Sequence, residues 1–345
     1  MDKKDVNACR GENLPKKQFI AFLSAAFVIS SFAVGISGNI LSVLFFISGV
    51  AAGAYLFCFS KPYLPVICSL ASVVIVFLLS RSKVSMAVAL LILFVSLAIG
   101  ICARMKCTLV GSVAAGSVVI VSALILVFLA QIYIIGGGLS LDNIIGYVES
   151  MYDQVVALLK ELTVYTDGDT AIAVLTEEAI SFYARYMIAT SFAFIVCAVF
   201  LLVYFCVKLF TRLVFASDSY KLIAQEMFFI DMSLAAAALF VIATVMVSVL
   251  SYMDAAEPVY YAAMNIQIIL TPGLTVVGFR TFRLWFAKKT KRKLSLFGLI
   301  ALGMAAFILF QYISALLSLF IMVFSIFGAV SVIRRKAPLL KPHKD

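Results

Sequence analysis

Between Gln18 and Ile333 the chain is a succession of apolar runs of about membrane-spanning length, parted by short polar breaks. A spanning helix needs roughly 20 apolar residues. In lipid, every backbone N–H and C=O of such a run must find its partner inside the segment. This constrains the fold more than any other feature: it predicts an all-α, polytopic transmembrane helical bundle of about ten spans, with one extracytoplasmic amphipathic helical segment. Composition agrees. Hydrophobic residues make up 64% and charged residues 13%, where soluble domains carry about half and a quarter. So few charges cannot clothe a water-facing surface of this size.

The spans are read as Gln18–Val34, Ile40–Phe59, a third ending near Ser80, Val84–Ala103, Leu109–Ile135, Ile180–Leu209, Ser233–Met253 and Val259–Phe279. The last apolar block, Leu294–Ile333, is too long for one crossing and is expected to fold as a hairpin turning near Gln311–Ser314. This gives a polar N-terminal segment (1–17), five membrane helices (18–135), an extramembrane segment (136–179), further membrane helices with basic loops (180–333) and a basic tail (334–345). In the extramembrane segment Ile145, Val148, Tyr152, Val155, Leu159 and Leu162 step by three or four, opposite Glu149, Asp153 and Lys160. That spacing predicts an amphipathic helix, with a turn at Thr166–Asp169. A second amphipathic piece is expected around Tyr220–Phe229, after possible N-caps at Ser217 and Asp218.

The net charge is +10. Nucleic acid is not the expected partner, because the basic residues flank apolar runs and show no interleaved aromatic platform. Lys and Arg mark cytoplasmic loops instead. Lys3, Lys4, Arg10, Lys16 and Lys17 place the N-terminus inside, and counting crossings puts Arg104, Lys208, Arg212, the Arg280–Lys293 loop and the Arg334–Lys344 tail inside as well. The acid-rich segment with Asp142, Glu149, Asp153, Glu161, Asp167, Asp169, Glu177 and Glu178 comes out on the far side, with Asp254 and Glu257. Arg81 and Lys83 run against the rule, which leaves a mispairing of the third and fourth spans as an alternative.

Little in the spans suggests covalent chemistry, and no enzyme activity or cofactor is expected. An ionisable residue at membrane depth is a functional hypothesis by default, and the span interiors are read as holding essentially none; Lys208, Asp231 and Arg280 sit near ends. The seven cysteines form no CxxC pair and the single histidine, His343, lies in the tail, so no zinc site is expected. No GxxxxGK[ST] motif is present, so ATP use would need a partner. The uncharged polar residues Asn39, Gln131, Asn265, Gln267 and Gln311 serve either as interhelical hydrogen-bonding groups or as the lining of a solute site. The strongest candidate is Asn265–Gly273, where Pro272 and Gly273 interrupt the eighth span, since broken helices at membrane depth often mark binding sites. The candidate solute-binding set is therefore Asn265, Gln267, Pro272 and Gly273, with Asn39 and Gln131. Small residues four apart (Ala21/Ala25, Gly49/Gly53, Gly111/Ala115) predict close helix approaches.

Three stretches, AIGICARMKCTLVGS (Ala98–Ser112), NIQIILTPGLTVVGFRTFRLWF (Asn265–Phe286) and FGAVSVIRRK (Phe327–Lys336), resemble the YybS-like family of multispanning bacterial proteins, to which no activity is assigned. The chain departs from that family's pattern at Pro272-Gly273, where the family carries Gln-Gly, and near Ser331, where it carries an acid. The family is distantly similar to the substrate-binding subunits of energy-coupling-factor transporters. This resemblance implies binding of a vitamin-type or metabolite-type solute, and a transmembrane coupling partner docked on an Ala-xxx-Ala face that Ala21 and Ala25 match. The leading expectation is a non-enzymatic transport protein of the cell membrane. The rival is a structural membrane scaffold recruiting envelope or division proteins through its basic loop and tail.

Overall fold

The computed structural model describes residues 17–36, 40–61, 63–80, 83–164, 176–216, 231–251, 257–290 and 314–336. Outside them lie the N-terminal segment to Lys16 with Cys9, Asn39, Arg81, the 166–169 turn, the amphipathic piece at 217–230, Asp254, the 291–313 stretch with the expected hairpin turn, and the tail beyond Lys336 with His343.

Among the described residues the regular structure is helix throughout: α1 (Lys17–Ile36), α2 (Ile40–Phe59), α3 (Tyr63–Ser80), α4 (Lys83–Arg104), α5 (Leu109–Gly136), α6 (Leu141–Val164), α7 (Glu177–Ala216), α8 (Leu234–Leu250), α9 (Glu257–Thr290) and α10 (Ser314–Lys336). Five contain stretches long and apolar enough to cross a membrane: Leu41–Phe59, Ser85–Arg104, Leu109–Gly136, Glu177–Ala216 and Glu257–Phe286. Phe19–Val34, Tyr63–Leu78 and Leu234–Leu250 are shorter apolar helices. Large apolar side chains face outward along these segments, for example Leu126 at 66% and Ile134 at 78% exposure. A contiguous outer surface of this kind is costly in water and ordinary in lipid.

The chain divides into two compact units, and the division falls inside α5, after Gln131, and inside α7, after Cys197. The first unit holds α1–α4, most of α5 and the second half of α7. Its core is built on Phe27, Tyr55, Leu56, Ile92, Ile99, Val203 and Phe210. Glycine sets its spacing. A Cβ on Gly49 would lie 3.1 Å from Ser30 Cβ, and one on Gly53 would collide with Phe27 and Ser96, so the Gly49/Gly53 face is where α2 meets α1 and α4. Ser96 Oγ then donates to Val50 O at 3.2 Å. Gly111 has only Thr108 and Cys107 nearby, so the Gly111/Ala115 pair does not mark a close approach at Gly111.

Contacts give the helix directions. Ser30 meets Ser48 at 3.0 Å and Phe19 meets Tyr55, so α1 and α2 are antiparallel. Gly53 meets Ser96, Gly100 meets Phe57, and the Arg104 guanidinium donates to Cys58 O and Ser60 O, so α2 and α4 are parallel.

The second unit comprises the end of α5, α6, the first half of α7, and α8–α10. The glycine turn after α5, Gly136 to Gly138, is pinned by Asn143, whose Nδ2 donates to Gly136 O and Gly138 O at 3.0 and 2.9 Å, while Gly137 takes φ +70°, a region costly for other residues. Ser140 then caps α6 through Asn143 N. The amphipathic α6 forms as the spacing predicts; on its apolar face Ile145 and Val148 are exposed, while Tyr152, Val155 and Leu159 are half-buried. Thr176 and Ser233 cap α7 and α8. In this unit Arg185 faces Glu257, Ala189 faces Asn265 and Cys197 faces Ile268, so α7 and α9 are parallel. Gln267 faces Met322 and Thr281 faces Ser331, so α9 and α10 are parallel too.

Candidate functional site

Helix α9 carries four of the six candidate residues, and it runs unbroken from Glu257 to Thr290 with Pro272 inside it. The expected interruption does not occur. Proline removes the N–H that would bond the carbonyl four residues back, here Ile268. That carbonyl is not abandoned: Cys197 Sγ on α7 donates to Ile268 O at 3.1 Å. Pro272 itself lies on an exposed side of the helix, so its ring meets little protein. The helix continues because a neighbouring thiol supplies the missing donor.

The candidates do not share one pocket. Residues two apart on an α-helix point about 200° apart, and Asn265 and Gln267 diverge accordingly. Asn265 faces α7, where its Nδ2 donates to Ala189 O at 2.9 Å; its Oδ1 is buried with no hydrogen-bond partner among the described residues. Gln267 faces α10, with Nε2 3.5 Å from Met322 Sδ. Gly273 faces Met232, whose sulfur a Cβ there would approach to 3.0 Å. Gln131 is exposed on α5 and belongs to the other unit. Asn39 lies outside the described residues.

On its α10 side, α9 presents hydroxyls and glycine. Thr271 and Thr275 bond back to Gln267 O and Thr271 O at 2.7 and 2.8 Å, and Thr275 Oγ1 meets the buried Ser325 Oγ at 2.7 Å. Thr281 reaches Ser331 Oγ at 3.3 Å. Between these rungs, Cβ atoms on Gly278 and Gly328 would run into the facing helix's backbone, at Phe324 O and Leu274 O. The hydroxyls thus satisfy one another where the two backbones nearly touch, as small-residue membrane interfaces require. Spaced as Gly278 on α9 and Gly328 on α10, this contact has no repeat within either helix to mark it in the sequence.

Two charged clusters frame this unit. At one end Asp231 pairs with Arg335 at 3.1 Å and Lys336 at 2.8 Å, and Lys336 also donates to Met232 O. Partial burial alone would raise the Asp231 pKa; the Lys336 hydrogen bond and charge, with Arg335, outweigh it and hold the carboxyl below its ordinary range. At the other end Arg185 lies 3.9 Å from Glu257. Arg185 lies five residues inside the start of the predicted sixth span, a charge that the reading of the spans does not name. A lone arginine in an apolar run is itself the signal that should have drawn attention to it.

The docking candidates Ala21 and Ala25 are both exposed on α1, beside Phe22 and Ile29, while Leu23 and Phe27 turn inward. Among the described residues, no three His, Cys, Asp or Glu side chains cluster as a metal would need. A scan of protein-family models and searches of curated proteins and of solved structures found no significant match to this chain.

Proposed function

We propose that this chain is a non-enzymatic, multi-pass cell-membrane protein of the transport type, which takes a small solute against Asn265. One observation carries the reading: a carboxamide oxygen buried within an apolar helix, with no hydrogen-bond donor to it among the described residues. Leaving such a group unsatisfied costs roughly 1–3 kcal/mol, which a bound donor would recover. The amide cannot simply turn over to cure this, because its Nδ2 is committed to Ala189 O. The solute therefore presents an N–H or O–H donor. On the opposite side Gln267 and Thr275 meet α10 through their side chains and Thr271 through its carbonyl, which accepts from Ser325 Oγ; they are supporting residues in this scheme.

Ten crossings with both termini in the cytoplasm fit the helix directions. Two parallel spans need a return crossing between them, and the parallel pairs α2/α4, α7/α9 and α9/α10 support that alternation. The parallel α2/α4 pair also favours α3 as a crossing, and so favours an outside position for the Arg81–Lys83 loop. The acidic α6 then lies on the outer membrane surface, with the exposed Ile145 and Val148 toward lipid. Ala21 and Ala25 are assigned to a transmembrane coupling partner, in keeping with the family resemblance.

The test is a metabolite screen by thermal shift on purified protein in nanodiscs. A saturating ligand at 100 times its Kd raises stability by about 2.7 kcal/mol. Asn265→Leu should abolish the shift and leave the unliganded protein folded. A screen without any shift, accompanied by a stable envelope partner in pull-downs, would replace this reading with the scaffold.

A further inference from the structure

We infer that the ends of α7 and α9 around Arg185 and Glu257 form a binding site for a zwitterion, with its anionic group on Arg185 and its ammonium on Glu257 and the neighbouring tyrosines. The two charges are 3.9 Å apart and 60% and 68% exposed, so their own bond is loose and contributes little. Around them stand Tyr186, Tyr260 and Tyr261, all half-buried. Tyr260 and Tyr261 pack edge to face at 5.5 Å, and both lie within electrostatic reach of Tyr186. Glu257 and Arg185 act in turn on Tyr261, so the five side chains form one cluster.

Each part suits half of a zwitterion. Guanidinium groups bind carboxylate or phosphate through paired N–H donors. An ammonium gains from a carboxylate and from tyrosine faces together, as in aromatic cages. A loose, exposed ion pair can open to accept both halves of such a ligand with no net change in charge, whereas a simple anion or cation would leave one partner uncompensated. The cluster lies about two helical turns from Asn265 on α9, and its proposed role stands whether or not Asn265 meets a solute. The ligand has two possible sources, a free zwitterion or the headgroup of a zwitterionic phospholipid.

Phosphocholine is the probe for the free source. In phosphatidylglycerol nanodiscs it should raise the melting temperature and bind by calorimetry, with choline and phosphate given separately at least tenfold weaker. Arg185→Gln and Tyr260→Leu should each weaken phosphocholine roughly tenfold, while Asn265→Leu leaves it unchanged. Circular dichroism melts without ligand check that the variants fold; Tyr260→Leu keeps the ion pair and serves if Arg185→Gln does not. For the lipid source, native mass spectrometry should show phosphatidylcholine or phosphatidylethanolamine retained by the wild type and lost from both variants. Phosphocholine binding that fails while lipid is retained assigns the headgroup. No binding of either, or equal binding by wild type and a folded variant, overturns the proposal.

Discussion

The Cys197–Pro272 pair makes a sharp prediction about why α9 stays helical. Cys197→Ala removes the donor from Ile268 O, and interhelical hydrogen bonds in membrane proteins contribute about 0.6–2 kcal/mol. A thiol is a weak donor, so about 1 kcal/mol is expected from the bond, with roughly 1 kcal/mol more from lost sulfur packing. Pro272→Ala acts on the same carbonyl from within the helix, because the introduced alanine would supply the N–H to Ile268 O. In that background the thiol is redundant, and Cys197→Ala should cost only the packing part. The double-mutant cycle therefore predicts a coupling of about 1 kcal/mol, with Cys197→Ser close to wild type. Reversible unfolding in mixed SDS micelles, followed by far-ultraviolet circular dichroism, measures all four proteins of the cycle. Costs that add within about 0.3–0.5 kcal/mol would show that the sulfur merely lies near the carbonyl, and the account of the unbroken helix would fail.

Three further outcomes follow from the packing. Gly278→Ala places a methyl against Phe324 O; overpacking costs about 1–3 kcal/mol and exceeds the gain of up to about 1 from better helix propensity, so the protein should melt lower, whereas Gly111→Ala, with its nearest neighbour at 3.4 Å, should melt level or higher. Asp231 has a folded-state pKa below its ordinary value, so its pairing with Lys336 and Arg335 stabilises above the unfolded carboxylate pKa and is lost as pH falls through the folded one; Asp231→Asn should flatten the decline in melting temperature between pH 5 and pH 3 (roughly the carboxylate range), and an unchanged decline would assign it to other groups. Ala21→Leu with Ala25→Leu should leave the melting temperature within about 0.5 kcal/mol equivalent, since both are exposed, yet abolish co-purification of a coupling partner.

Helix positions were legible from the chain because span length in lipid is a hard constraint. The bounds expected for the second span coincide with α2, those for the fourth differ from α4 by one residue at each end, and those for the fifth differ from α5 by one residue at the C-terminal end. Longer deviations occur where helices outrun the apolar run: α9 continues from Phe279 to Thr290 through Arg280 and Arg283, since charged residues past the bilayer edge end a hydropathy signal without ending a helix. Contacts between distant helices were less legible. The Gly49/Gly53 face could be read because both small residues lie on one helix, four apart. The Gly278–Gly328 contact could not, since each glycine stands alone in its own helix and only the fold brings them together. Arg185 does not stand out in a hydropathy profile, because the window averages a single charge away.

The difficulty with α9 as a site is that it shows a different chemistry to each neighbour. Toward α7 it offers an ion pair, a carboxamide and a carbonyl that needs a donor. Toward α10 it offers hydroxyls and glycine, each satisfied within the pair. Pro272 and Val276 point away from both. A string of residues such as Asn265, Gln267, Pro272 and Gly273 looks like one motif in the sequence only because a helix winds its faces together into a line. Once unwound at about 100° per residue, the string separates into positions with separate partners. Among the described candidate polar side chains, only Asn265 has a buried acceptor without a partner among the described residues. The same rotation that dissolves the sequence motif therefore singles out the residue on which solute binding has to be tested.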